Sequence, residues 1–184
     1  TTEKGLTYTI VMDLLGRTTF QQETFGDTTY TTRYSYDSNN RLTAVKDRND
    51  EVTRYEYHND SNLQSMVEYP DGTVVSYEYD EDGNVTETVQ RDGSLLSYVY
   101  VNNLLQSSTD ANGGYRTYQY DAAGHLVSST DALGNITNYA CNAAGLITGS
   151  TDPLGNETRY EYDSAGRLIK RISPLGNEYE YVYS

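Results

Sequence analysis

The stretch Asn156-Glu157-Thr158-Arg159-Tyr160-Glu161-Tyr162-Asp163-Ser164-Ala165-Gly166-Arg167-Leu168 decides the fold. Thr158, Tyr160 and Tyr162 share one face and Glu157, Arg159 and Glu161 the other, the period of two of a half-buried β-strand. Asp163 to Gly166 reads as a turn, because Asp bonds the backbone ahead of it and Gly accepts positive φ without strain. Arg167 to Ser173 is then the return strand. It meets a second turn, Pro174-Leu175-Gly176-Asn177, matched by Asp152-Pro153-Leu154-Gly155-Asn156, by Asp131-Ala132-Leu133-Gly134-Asn135 and by the plainer Asp71-Gly72.

Outward from this copy the pattern repeats. Tyr-x-Tyr recurs at Tyr34/Tyr36, Tyr55/Tyr57, Tyr77/Tyr79, Tyr98/Tyr100, Tyr118/Tyr120, Tyr160/Tyr162 and Tyr181/Tyr183, with Tyr139/Cys141 in the remaining register. Successive second positions lie 21, 22, 21, 20, 21, 21 and 21 residues apart. Asp37, Asp80, Asp121 and Asp163 follow directly, and Gly83, Gly124, Gly145 and Gly166 close the first turn. A degenerate first copy spans residues 10–33, with Ile10 and Met12 in the tyrosine slots. Eleven of the 15 glycines occupy one of the two turn registers, so they punctuate chain reversals. The expectation is one repeat domain over residues 1–184, with about eight units of two antiparallel strands each.

Composition agrees. The 184 residues are 36% apolar, and the aromatics are 20 Tyr and two Phe with no Trp, so nearly every ring carries a hydroxyl that needs a partner when buried. Tyr, Thr, Val, Asn and Gly are poor helix formers, and a turn signal about every ten residues leaves no room for helices. In the return strands Leu126, Ser128 and Thr130 alternate with Val127 and Ser129 without naming a buried face. Thirteen Lys and Arg against 27 Asp and Glu give −14, which repels nucleic acid and anionic membrane surfaces. No apolar run reaches the roughly 20 residues of a spanning helix. The single Cys141 excludes an internal disulfide, and the opening Thr1-Thr2-Glu3-Lys4 lacks the charged-then-apolar secretory pattern.

Tyr-x-Tyr-Asp-x-x-Gly-Arg-Leu with Asp-x-x-Gly-Asn-x-Thr at a period near 21 resembles the YD repeat, also called the Rhs repeat. Tyr162 to Leu168 and Tyr120 to Leu126 carry the likeness most closely, over roughly residues 10–184. Departures are His58 and Val101 in the Asp slot, Asn40, Ser61 and a one-residue deletion near Asn103 in the glycine slot, and Cys141 in a tyrosine slot. The resemblance implies an all-β fold: a spiralling antiparallel β-hairpin sheet, solenoid-like, that in full-length members closes into a hollow shell. In bacterial Rhs proteins and the C components of insecticidal toxin complexes the shell encloses a C-terminal toxic domain, and teneurins use a related shell in cell-surface adhesion. Toxin-type members end the shell with Asp-Pro-x-Gly-Leu, whereas Asp152-Pro153-Leu154-Gly155 is followed here by Asn156. The resemblance therefore implies a fragment of shell wall from a longer, secreted or cell-surface protein, its partners being the remaining shell and an enclosed C-terminal toxin.

Candidate chemistry is thin. Cys141 with His125 or His58 suggests a thiol and a base, but Cys141 fills a tyrosine slot, His125 the slot of Arg41 and Arg167, and His58 an Asp slot. Turn Asp and Asn side chains serve as Asx caps or, alternatively, as calcium ligands. Asp80-Glu81-Asp82 and the Glu157/Glu161 pair recur with the repeat, unlike a singular catalytic pair. The sequons at Asn59, Asn84, Asn135 and Asn156 matter only for a eukaryotic secreted protein. No catalytic residue, cofactor or metal site is assigned. The expected function is a non-catalytic wall segment, the alternative a carbohydrate-binding or cell-surface adhesion module whose exposed tyrosines stack on sugars. Open edge strands imply a monomer or an edge-paired dimer.

Overall fold

A computed structural model describes residues 5–183, and the expectations that concern residues 1–4 and residue 184 lie outside it. Among the described residues there are 17 strands, all paired antiparallel, and no helix. The chain forms two compact units, one ending at Leu95 and the other starting at Leu96.

In the first unit β1 (Leu6–Met12), β2 (Thr18–Phe25), β3 (Thr28–Tyr36), β4 (Leu42–Lys46), β5 (Val52–Tyr57), β6 (Gln64–Glu68), β7 (Val74–Tyr79) and β8 (Val85–Val89) pair each with the next. The second unit repeats this with β9 (Leu95–Val101), which starts at the boundary, β10 (Leu104–Thr109), β11 (Tyr115–Tyr120), β12 (Leu126–Thr130), β13 (Ile136–Cys141), β14 (Ile147–Thr151), β15 (Glu157–Tyr162), β16 (Leu168–Ile172) and β17 (Glu178–Glu180). Short hairpin loops permit only this sequential antiparallel order.

Outside the two-residue loops β2/β3 and β9/β10 and the longer β5/β6 loop, both rows of turns close the same hydrogen-bonded ring. The Asp163 N–H donates to the Arg167 carbonyl at 2.9 Å and the Gly166 N–H to the Asp163 carbonyl at 3.0 Å; in the other row Asp152, Asn156 and Gly155 make the same two bonds. Gly166 has φ +78°, the left-handed residue that ends a three-residue hairpin loop. Asn40 takes the glycine role with φ +67°.

The two irregular spacings have distinct causes. The 22-residue step contains a loop one residue longer, in which the His58 N–H reaches the Leu63 carbonyl and Asn59 turns left-handed at φ +41°. The 20-residue step contains a two-residue loop between the paired Val101 and Leu104, with Asn102 at φ +52° and Asn103 at φ +62°. Positive φ at both central residues is what a tight hairpin demands, and Asn is the non-glycine residue that tolerates it best. The hairpins are thus preserved while the loop chemistry changes.

The molecule has almost no enclosed core. Val67, at 6% exposure, is the one buried apolar side chain among the described residues, and Ser107, at 7%, the one buried polar side chain. The return strands β4, β8, β12 and β16 are half-buried at every residue, so both of their faces are lightly covered. This resolves the ambiguity of Leu126 to Thr130. The tyrosine strands alternate: Thr158, Tyr160 and Tyr162 are half-buried while Glu157, Arg159 and Glu161 are exposed. Stability in such a fold is a sum of neighbouring-strand terms.

Candidate functional site: the tyrosine face

Where an Asp-type turn follows or the chain reaches its last repeat, the second tyrosine hydroxyl of the Tyr-x-Tyr pair donates to a backbone carbonyl of the preceding return strand. Tyr79 reaches Gln64 at 2.9 Å, Tyr120 reaches Leu105 at 3.0 Å, Tyr162 reaches Ile147 at 2.8 Å and Tyr183 reaches Leu168 at 2.8 Å. Tyr57, followed by His58, reaches Leu42 at 2.9 Å in the same way, and Tyr36 donates to Thr18 at 2.9 Å. The acceptors lie where the ladder between adjacent hairpins has run out. Between β14 and β15 the register ends at Gly149 and Arg159, and Ile147 lies beyond it. The hydroxyl pairs a carbonyl that the ladder leaves open, and so staples one hairpin to the next.

Tyr100 precedes the departure at Val101 and Asn103 that the sequence shows. Its strand runs one residue further, because Val101 fills the Asp slot and pairs with Leu104, and a two-residue loop replaces the Asp-capped ring. Tyr100 itself is half-buried, stands opposite Leu105, and lies near enough to Tyr120 to help raise that residue's pKa. Its ring thus belongs to the tyrosine face, while the turn beside it does not follow the signature.

A bulge aims the ring. In β15 and β16 Glu161 faces Lys170 while Tyr162 faces Leu168, so one residue is extra in the return strand. The same shift precedes Tyr36, Tyr57, Tyr79, Tyr100, Tyr120 and Cys141. Bulges of this kind raise the local twist and redirect a side chain.

The residue after the turn glycine covers the next unit. Arg17, Arg41 and Arg167 place their guanidinium carbons 4.6, 4.9 and 4.8 Å from the ring centroids of Tyr36, Tyr57 and Tyr183. Each also binds the Asp of its own turn, Nε to Oδ2 at 2.7 Å in all three. Where this residue is Leu63, Leu104 or Leu146 it packs instead against Gly83, Gly124 or Gly166 of the next turn. The first tyrosines face the return strands: Tyr55 stands opposite the buried Val67, Tyr34 donates to Gln21 Oε1 at 3.2 Å, and the Tyr139 hydroxyl lies 3.2 Å from Ser129 Oγ. Burial pushes the hydroxyl pKa values of Tyr55, Tyr79, Tyr120 and Tyr162 above 10.0.

The Asp163, Asp152 and Asp131 carboxylates are engaged on both oxygens. Asp163 Oδ1 accepts the N–H groups of Ala165 and Arg167, both at 2.9 Å, while Oδ2 takes Arg167 Nε. Asp152 and Asp131 do the same with Asn156 and Asn135 as the side-chain donors. Backbone N–H bonds and the Arg167 side chain lower the Asp163 pKa; the Asn156 and Asn135 side chains do so first for Asp152 and Asp131. These are Asx-capped turns. Among the described residues no three His, Cys, Asp or Glu side chains converge as metal ligands do.

The remaining candidates each have partners of their own. His58 Nε2 lies 3.0 Å from the Tyr77 carbonyl, with its ring edge-on to Tyr79 at 5.5 Å. His125 Nδ1 lies 3.1 Å from Asp121 Oδ2, and the Cys141 thiol donates to the Leu126 carbonyl at 3.6 Å. Glu157 is held by Arg159, and Asp80 by Asn84. Tyr181 and Tyr183, just beyond the last strand, are more exposed, at 41% and 46%. Sequence reasoning did not find the carbonyl partners, the stacked arginines or the exposure of the turn leucines Leu133, Leu154 and Leu175, at 87–88%. For the arginines the Gly-Arg-Leu spelling was the available signal.

Two family models match the chain: the Teneurin YD-shell over residues 6–90, and the RHS Repeat over residues 101–136 and 142–178. The chain belongs to the YD-repeat, or RHS-repeat, family. No curated protein matches it significantly in sequence. Among solved structures it is similar to a chain of the Photorhabdus luminescens Tc holotoxin pore, with TM-score 0.69 and 16% identity over 96% of this chain and 12% of that one. It is also similar to TcdB2-TccC3, with TM-score 0.66 and 15% identity over 91% of this chain and 12% of that one, and to the same pair without its hypervariable C-terminal region, at the same score and identity over 91% and 11%. The YD-repeat chain thus spans about one eighth of the length of those structures, and the likeness is one of fold.

Proposed function

We propose that this YD-repeat chain, residues 1–184, is a non-catalytic wall segment of a large exported protein, whose shell encloses or carries a C-terminal toxin. The observation that supports this reading is the use made of the tyrosines. Hydroxyls such as those of Tyr57 and Tyr162 are committed to carbonyls of neighbouring hairpins, and rings of the second positions lie under Arg17, Arg41 and Arg167. A ring committed in this way joins strands, and a sugar-binding platform needs a free one. The tyrosine and turn signature from Tyr34 to Tyr183 is accordingly read as mortar of the wall, and its partners are the rest of the shell and the cargo. The matched repeat families are structural ones, which supports a segment without an active site.

The second reading, a glycan-binding or adhesive module, draws on the match to the Teneurin YD-shell and on the exposed Tyr181. The deciding experiment replaces Tyr160 and Tyr162 by Ala and measures both thermal unfolding and glycan-array binding. A wall requires a loss of about 3 kcal/mol or more, the scale of truncating packed aromatics, with no glycan signal in the parent protein. Unchanged stability with loss of a saturable glycan signal would favour recognition.

A further inference from the structure

The turns that lead from a return strand into the next tyrosine strand share one backbone ring, yet their third residue changes character along the chain. In order it is Asn49, Asp71, Asp92, Asn112, Leu133, Leu154 and Leu175. Asp and Asn suit this position because their side chains bond local backbone. Leu adds nothing to the turn, whose ring is already closed, with Asp131 and Asp152 accepting the Leu133 and Leu154 N–H groups at 2.9 Å. The three leucines are 87%, 87% and 88% exposed. In the opposite row of the same hairpins the equivalent residues are Ala123, Ala144 and Ala165.

Leu133, Leu154 and Leu175 sit on three successive loops of the second unit, β12/β13, β14/β15 and β16/β17. Loops two strands apart are about 10 Å apart, so the leucines form a ridge about 20 Å long. Seven residues of α-helix rise about 10.5 Å and return nearly to the same face. In an extended peptide the same distance is three residues, and the odd step sends alternate side chains to opposite faces. A helix therefore matches the ridge and a strand does not. Around the ridge Asp131, Asp152, Glu157 and Glu178 are acidic; of the nearby cations Arg159 and Lys170 are held by Glu157 and Glu178 and Arg116 lies near Asp131, so the carboxylates outnumber the cations. With a chain charge of −14 a second copy is repelled, and a basic partner is drawn in.

We propose that Leu133, Leu154 and Leu175 form a docking ridge for an amphipathic helix of a partner protein, with apolar residues seven apart and basic residues beside them. The ridge is independent of whether the wall encloses a cargo. The test titrates a synthetic 21-residue helical peptide, with Leu at seven-residue intervals and Lys on its flanks, into the chain and into the triple variant Leu133→Asn, Leu154→Asn, Leu175→Asn. Asn occupies this turn position at Asn49 and Asn112, so the variant keeps its turns, which circular dichroism and the melting temperature check. The expected result is saturable one-to-one binding, at least tenfold weaker in the variant at unchanged melting temperature. Equal binding to both proteins, no saturable binding, or equal binding of a peptide whose leucines are scattered around the helix would overturn the proposal. A dimer seen by sedimentation and abolished in the variant would overturn it in favour of a second copy.

Discussion

The Cys141 thiol donates to the Leu126 carbonyl at 3.6 Å, from the place where the Tyr120 hydroxyl reaches Leu105 at 3.0 Å and the Tyr162 hydroxyl reaches Ile147 at 2.8 Å. The substitution keeps the direction of the staple and loses the ring. His125, in the slot from which Arg41 and Arg167 cover tyrosines, crowds Gly145 so closely that a Cβ there would meet its ring at 2.9 Å.

Restoring the tyrosine should therefore require restoring its cover. Cys141→Tyr alone is expected to gain little, because the ring meets a displaced imidazole. Cys141→Tyr with His125→Arg is expected to stabilise by about 1–2 kcal/mol through apolar burial, a stronger hydrogen bond and a cation–π contact. Urea unfolding of both single variants and the double variant closes the cycle, and simple additivity would sink the idea.

Acid should loosen the turns before the strands. Asp13, Asp37, Asp80, Asp121, Asp131, Asp152 and Asp163 are all held below the ordinary 3.8 by hydrogen bonds from their own turns. A folded-state pKa below the unfolded value adds stability above about pH 4 and loses it as pH falls through the folded value. The melting temperature is expected to be flat from pH 7 to 5 and to drop below pH 4. Asp163→Asn, which keeps an acceptor for the backbone, should show a shallower drop; an unchanged profile would remove Asp163 from this account.

Alkali acts through the staples. Tyr55, Tyr79, Tyr120 and Tyr162 have pKa values raised above 10.0, mainly by burial. A raised pKa in the folded state stabilises fully below pH 10 and is lost as pH rises through the folded value. Phenolate formation also removes the proton that Tyr79, Tyr120 and Tyr162 donate to carbonyls. Absorbance at 295 nm and circular dichroism should change together above pH 10. Titration of every tyrosine without loss of β-signal would contradict the stapling role.

Backbone strain separates the turn residues. Gly166 has φ +78°, and a Cβ there would meet only Leu146 at an ordinary 3.6 Å, so Gly166→Ala measures conformation rather than crowding. The expected cost is about 1–2 kcal/mol. Asn40→Gly relieves φ +67° but removes the acceptor of the Arg17 Nη1 hydrogen bond at 2.8 Å, so its net change should stay within about 0.5 kcal/mol. Chemical denaturation midpoints check both.

Local chemistry made much of this fold legible. Thr158, Tyr160 and Tyr162 against Glu157, Arg159 and Glu161 name a strand and its covered face through neighbouring residues alone, and Asp163 with Gly166 names a turn through its own φ and hydrogen bonds. The return strands stayed ambiguous because Leu126 to Thr130 are covered on both sides, which erases the alternation that sequence reading depends on. Val101 in the Asp slot and the deletion near Asn103 mark the loop after Tyr100 as irregular, and the structure adds how it closes, by pairing Val101 with Leu104 across the hairpin.

Sequence by itself determined the period, the strands, the turns and the family, because each rests on interactions within about ten residues. Tertiary structure alone decided that Tyr162 ends on the Ile147 carbonyl, that Arg167 lies over Tyr183, and that Leu133, Leu154 and Leu175 stand exposed. The physical reason is register. A single extra residue in each return strand sets where neighbouring hairpins meet, and the partners of a side chain 15 residues away follow from that offset rather than from local propensity.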